Sequence, residues 1–337
     1  MFEARSTEAD ALSERIPEGA RAYPASPALP GRPLRIGLLN NMPDAALAQT
    51  ERQFRHLVGS GAELLLFSLD GLPRGAQARA HLEAAYASHR ALPSARLDAL
   101  IVTGCEPRAG RLRDEPYFPE FAGLVDWASR NTASTLFSCL AAHAAVLHLD
   151  GIERRPLPAK HSGIYESAVV SAHPLVAGGP ASVPVPHSRW NDLAETELAA
   201  AGYAVLRRSE DVGVDLFARE TGESLFVFLQ GHPEYDGDSL AREYRRDVGR
   251  FLAGEREDCP ALPAHYFPAA TARRLSAFAE AAKRDRSPER FQHFPSIDAR
   301  PPLQDAWQAG AAALFRNWLA LVAERREVRA DSPAVTA

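Results

Sequence analysis

Ser134-Thr-Leu-Phe-Ser-Cys-Leu140 runs without a turn signal into Ala141-Ala-His-Ala-Ala-Val146. The first half is an apolar, β-type run and the second is Ala-rich and helix-forming. A strand that stops at a cysteine where a helix begins lifts that side chain above the sheet, with the helix's free N–H groups aimed at it. The positive end of the helix dipole favours a thiolate there and, later, an oxyanion. The stretch therefore predicts an α/β fold with Cys139 as nucleophile at a strand's carboxyl end. Taken alone, a cysteine after a strand also reads as a small buried apolar side chain.

A thiolate needs a base. Ser224-Leu-Phe-Val-Phe-Leu-Gln230 reads as a second buried strand, and it ends in Gly231-His-Pro-Glu-Tyr-Asp236. His232 suits the role of base, with Glu234 fixing its tautomer and stabilising the imidazolium, as in a Cys-His-acid triad. Both motifs sit at the carboxyl ends of apolar strands. In an open α/β sheet those ends border the crevice where ligands bind.

Working outward, Leu34–Asn40, Glu63–Leu69 and Leu97–Gly104 read as further strands, with helices after Met42-Pro43-Asp44 and from Tyr117 to Ser129. Short buried strands alternating with helices predict a doubly wound, mostly parallel sheet. Between Gly163 and Ala218, Glu166–Val170 and Val183–Pro186 suggest added strands. Residues 1–32 carry Pro17, Pro24, Pro27 and Pro30 and read as a poorly ordered arm before a catalytic domain at 33–268. The C-terminal part reads as helical at Ala272–Lys283 and Trp307–Arg325. A Pro- and charge-rich loop is expected between the two helices, and 328–337 read as a disordered tail.

The chain has 337 residues, 46% of them hydrophobic, and a net charge of −5. That supports a sizeable core and supplies no basic field for nucleic acid, so a small-molecule partner is expected. Cys105, Cys139 and Cys259 are too few and too scattered for a disulfide framework or a paired-cysteine metal site, which fits a reducing cytoplasm. The eleven histidines show no ligand spacing with carboxylates or thiolates, and no metal is expected. No apolar run is long enough for a membrane span, and the N-terminus lacks a signal peptide's pattern. The absence of Gly-x-Gly-x-x-Gly and of a phosphate loop removes the main support for nicotinamide or ATP chemistry.

Several motifs in order resemble the homoserine O-succinyltransferase family, whose fold is similar to class I glutamine amidotransferases, a flavodoxin-like doubly wound sheet. They are Ser134–Cys139, Lys160-His-Ser-Gly-Ile-Tyr-Glu166, Pro186-His-Ser-Arg189, Gly231–Asp236 with Arg246-Asp247, and Phe315-Arg-Asn-Trp318. The resemblance implies a cytoplasmic, homodimeric enzyme of methionine biosynthesis, with no bound cofactor and an acyl-CoA co-substrate. It implies ping-pong transfer of succinyl to homoserine through Cys139, with His232 as base and Glu234 as its partner. Lys160, Ser188 and Arg246 fall on positions that contact the amino-acid substrate, and the Leu140 N–H is an oxyanion donor at the helix start.

Two departures bear on the substrate. Asp44-Ala-Ala-Leu stands where the family usually has a pair of lysines. Arg108 stands at the position associated with donor choice, where glycine accompanies succinyl-CoA and glutamate acetyl-CoA. A cation there would pair with the free carboxylate of a succinyl group and gain nothing from acetyl. Residues 269–303 read as an insertion that would cap the site or mediate subunit contacts. An acetyl donor, serine or another amino-acid acceptor, a glutamine amidotransferase-like hydrolase and an inactive binding protein stay open at this point.

Overall fold

The computed structural model describes residues 32–297 and 300–331. The expected arm at 1–31 and the end of the expected tail at 332–337 lie outside the described residues. Arg32, placed in the arm, donates to both oxygens of Asp98 at 2.8 Å.

The apolar runs become β1 (Leu34–Leu39), β2 (Ala62–Ser68), the two-residue β3 (Ala87–Ser88), β4 (Ala99–Val102) and β5 (Ser134–Ser138). Among them lie α1 (Leu47–Val58), α2 (Ala76–Ala85) and α3 (Phe118–Asn131), and α4 (Leu140–Asp150) leaves β5 directly. Then come β6 (Arg155–Val169), β7 (Ser182–Asp192), α5 (Glu195–Ala200), β8 (Ala204–Ser209), β9 (Gly213–Thr221) and β10 (Ser224–Leu229). The chain finishes with α6 (Ser239–Leu252), α7 (Ala269–Arg284) and α8 (Gln304–Asp331).

One sheet holds all these strands in the order β3-β2-β1-β4-β5-β10-β9-β8-β6-β7. From β3 to β10 every pairing is parallel, and from β10 to β7 every pairing is antiparallel. The predicted doubly wound, mostly parallel sheet is therefore present, with the antiparallel extension added at one side. Residues of β4, β5 and β10 are buried throughout because helices cover both faces. One face packs on α3 and α4 through Phe121, Leu124, Ala142 and Val146. The opposite face packs on α1 and α8 through Phe54, Phe315, Trp318 and Val322. The chain leaves β1 toward β2 and returns to β4 on its other side, so a topological switch point lies between the carboxyl ends of β1 and β4.

The added strands are longer than expected. In place of the short segments at 166–170 and 183–186, β6 and β7 run antiparallel over most of their length, with Ile164 opposite Pro186 and Glu166 opposite Pro184. Pro184 and Pro186 made this run look interrupted. They are tolerated because β7 is the sheet's edge, where a missing N–H need not break a ladder. At the other end α8 continues through Asp331, past the expected boundary at 327, and Arg329 donates to the Thr132 and Arg130 carbonyls. None of the described residues of the 269–303 segment lines the cavity at the sheet's carboxyl edge. Its helix α7 packs Leu275, Phe278 and Ala282 against Tyr244, Val248 and Phe251 of α6.

Candidate active site

Cys139 sits between β5 and α4 with φ 53° and ψ −112°, a backbone conformation an L side chain rarely adopts. Its N–H is held by the Leu229 carbonyl at 2.7 Å, and its own carbonyl accepts from Ala142 N–H at 3.0 Å. The sheet and the helix thus clamp the residue from both sides, which is how the strain is sustained. Leu140 heads α4 and packs against Gly104, where an added Cβ would come within 2.7 Å of the Leu140 Cβ and 3.1 Å of its backbone nitrogen.

His232 reaches the same point from the end of β10. Its Nδ1 lies 2.8 Å from Glu234 Oε1, and Cys139 is near enough to act on the charge of the ring. Burial opposes charge on this ring, yet Cys139 and Glu234 on either side hold its pKa well above the usual imidazole value. The ring stacks on Tyr235, centroids 4.3 Å apart and planes 19° from parallel. The motif loop is pinned from several elements: His232 N–H to Pro186 O at 2.7 Å, Gln53 to Asp236 at 3.1 Å, and Trp307 Nε1 to Tyr235 O at 3.0 Å. Gly231 admits this packing. A Cβ there would meet Val185 at 2.6 Å and Asp215 at 2.7 Å.

Lys160, Ser188 and Arg246, from β6, β7 and α6, converge on two carboxylates that sequence reasoning missed. Lys160 Nζ is 3.2 Å from both Glu243 and Asp247. Ser188 Oγ donates to Glu243, Tyr235 donates to the same carboxylate at 2.5 Å, and Arg246 forks onto Asp247 at 3.0 and 2.9 Å. Burial would raise both acids, but Lys160 in each case, with Ser188 and Tyr235 at Glu243 and Arg246 at Asp247, holds them below the ordinary carboxylate range. Their spacing of four on one helix face was the available signal.

These groups line one cavity of about 780 Å³. It is walled by Met42, Pro43, Thr103 and Gly104 at the switch point, by Cys139, His232 and Glu234, and by Lys160, Ser188, Glu243 and Arg246. Arg108 is exposed and is not among the lining residues; Glu115 holds its backbone N–H instead. Where the lysine pair is missing, Asp44 accepts from Gly75 N–H at 2.7 Å and Arg74 bonds the Met42 carbonyl, so a cation from a different loop steadies this wall. Cys105 lies nearby, but burial pushes its thiol up to about 11, leaving Cys139 as the cysteine beside a base. His143, one turn past Cys139 on α4, is buried on Gln230 at 2.8 Å, and burial lowers it to about 4. Among the described residues no three His, Cys, Asp or Glu side chains are grouped to hold a metal.

Comparison with known proteins places this geometry in context. Residues 24–328 match the family model described as homoserine O-succinyltransferase. A homoserine O-succinyltransferase of Methylorubrum extorquens is 66% identical, over 87% of this chain and 88% of that protein. A relative of the same name from Rhodopseudomonas palustris is 51% identical over 86% and 88%. Among solved structures, a glutamine amidotransferase from Thermotoga maritima aligns with a TM-score of 0.51 at 14% identity, covering 87% of this chain and all of the other, a likeness of fold.

Proposed function

The chain belongs to the homoserine O-succinyltransferase family, acyltransferases of methionine biosynthesis, and from that premise we propose that it carries succinyl from succinyl-CoA to the homoserine hydroxyl through a thioester on Cys139. The observation that carries this reading is His232 held between Cys139 and Glu234 at the floor of the cavity. With its pKa raised, His232 starts as imidazolium beside a thiolate. The sulfur attacks the thioester carbonyl, and the resulting oxyanion lies at the Leu140 N–H. As the intermediate collapses, His232 gives its proton to the departing coenzyme A sulfur and becomes neutral.

The neutral imidazole is then the base for the second half-reaction. It takes the acceptor's hydroxyl proton while the oxygen attacks the Cys139 acyl carbon, and collapse restores thiolate and imidazolium. Glu243 faces the acceptor's ammonium group and Arg246 its carboxylate, with Lys160 and Ser188 setting the Glu243 side chain. The arrangement needs no bound cofactor, and the three cysteines without disulfide partners suit a cytoplasmic enzyme. Among the described residues no helix is long and apolar enough to cross a membrane.

Intact-mass spectrometry after incubation with succinyl-CoA and no acceptor tests the reading. One succinyl adduct is expected, absent in Cys139→Ala and discharged by homoserine. Absence of an adduct in the unaltered protein would overturn it.

A further inference from the structure

We propose that Trp190 and Arg256 form the platform for the nucleotide end of the acyl donor, with the indole stacking on adenine and the guanidinium meeting a phosphate; the inference rests on the transferase reading above. Three large apolar side chains are exposed among the described residues, Val170, Trp190 and Val328, and of these Trp190 alone borders the cavity. It is 49% exposed, so a large part of the indole is open to a ligand at the cavity. It stands on β7 two residues beyond Ser188, so both side chains leave the same face of the strand toward the cavity. Arg256 holds its guanidinium 5.8 Å from the ring centroid.

Pairing with the two carboxylates leaves one cation over at this corner. Lys160, Arg246 and Arg256 share two carboxylates, Glu243 and Asp247, and Arg256 is the most loosely paired of the three, 3.6 Å from Asp247. An amino-acid acceptor brings one positive and one negative group, so it leaves this surplus cation unanswered. The rim also carries Glu255, Glu257 and Asp258, which are exposed, and Arg250, which is paired with Glu106 at 3.1 Å. Those acids repel a phosphate from the outer rim and direct it inward to Arg256. Space continues in the same direction. A second hollow of about 230 Å³, bordered by Pro158, Tyr244 and Cys259, shares Trp190 and Arg256 with the main cavity.

Acyl-CoA has the matching chemistry. Its thioester must reach Cys139, while a long pantetheine arm separates that end from an adenosine carrying phosphates, which an aromatic face and an arginine recognise together.

The test compares succinyl-CoA with the succinyl thioester of N-acetylcysteamine, which keeps the reacting end and lacks the nucleotide, and adds calorimetric titration with adenosine 3′,5′-bisphosphate. In Trp190→Ala and Arg256→Ala the ratio of kcat/KM for the two donors should fall about tenfold or more, equivalent to about 1.4 kcal/mol. Adenosine bisphosphate should bind the unaltered protein and lose affinity in both variants, with Trp190→Phe restoring part of it. An unchanged donor ratio, or an unaltered protein that fails to bind adenosine bisphosphate, overturns the proposal. In that event, acylation of Cys139 by the truncated donor would leave the transferase reading standing.

Discussion

The His232 ring has two acidic neighbours and one proton, and its raised pKa means that the proton stays through neutral pH. The sign follows from the pair: a group whose pKa is raised on folding loses its contribution only as pH climbs through the raised value. In His232→Asn turnover should fall about 10²–10⁴-fold. Steady-state kinetics on the variant would check this, and wild-type turnover would remove His232 from the role. Glu243→Gln should raise the homoserine KM about tenfold or more while leaving the succinyl adduct on Cys139 intact, because a charged hydrogen-bond partner of the ammonium group is lost. At this scale the proposed nucleophile, base and acid were legible, since Cys139, His232 and Glu234 stand in short motifs at strand ends. Glu243 and Asp247 were not, because a carboxylate on a charged helix looks solvated until β6 and β7 are folded against it.

Elements decide how the reacting groups meet. The elbow works because β5 ends and α4 begins at the same residue, and the base loop works because β10 lies beside β5 in parallel, with Leu229 opposite Ser138. Gly231 is the narrow point of that loop, with Val185, Asp215 and His187 all within 3.0 Å of where a Cβ would sit. Gly231→Ala should displace His232 from Cys139, lower turnover on the order of 10²-fold and cost about 1–3 kcal/mol of stability. Kinetics and denaturant melts on the same variant would check both figures, and wild-type turnover would refute the packing argument. The strands and helices around the motifs were legible from apolar periodicity to within a few residues. The extent of β6 and β7 was not, because prolines that signal a break in a central strand are compatible with an edge strand, and edge position is a property of the whole sheet.

The molecule as a whole contains buried groups whose ionisation is linked to folding. His143 is fully enclosed, bonded to Gln230, and lowered to about 4 chiefly by burial. The unfolded chain takes up this proton near pH 6.5 while the folded chain refuses it, so stability falls as pH drops from 6.5 toward about 4. The slope is about 1.4 kcal/mol per pH unit for this one group. His143→Gln should flatten that part of the profile in urea melts at pH 7, 6 and 5, and an unchanged slope would show that other groups dominate. Trp318, fully buried with Nε1 donating to Ser134 Oγ at 2.9 Å, ties α8 to the strand that carries Cys139. Trp318→Ala should cost about 3–5 kcal/mol, read as a lowered urea midpoint. The sequence by itself determined the alternation of buried strands and helices and the short motifs that carry Cys139, His232 and Glu234, because those depend on local periodicity and on patterns a few residues long. Only the tertiary structure decided that Arg108 is exposed and not among the residues lining the cavity, that α7 packs against α6, and that Trp190 and Arg256 both line the cavity. Side-chain direction and the meeting of distant segments are set by which elements pack together, and no local pattern along the chain encodes that.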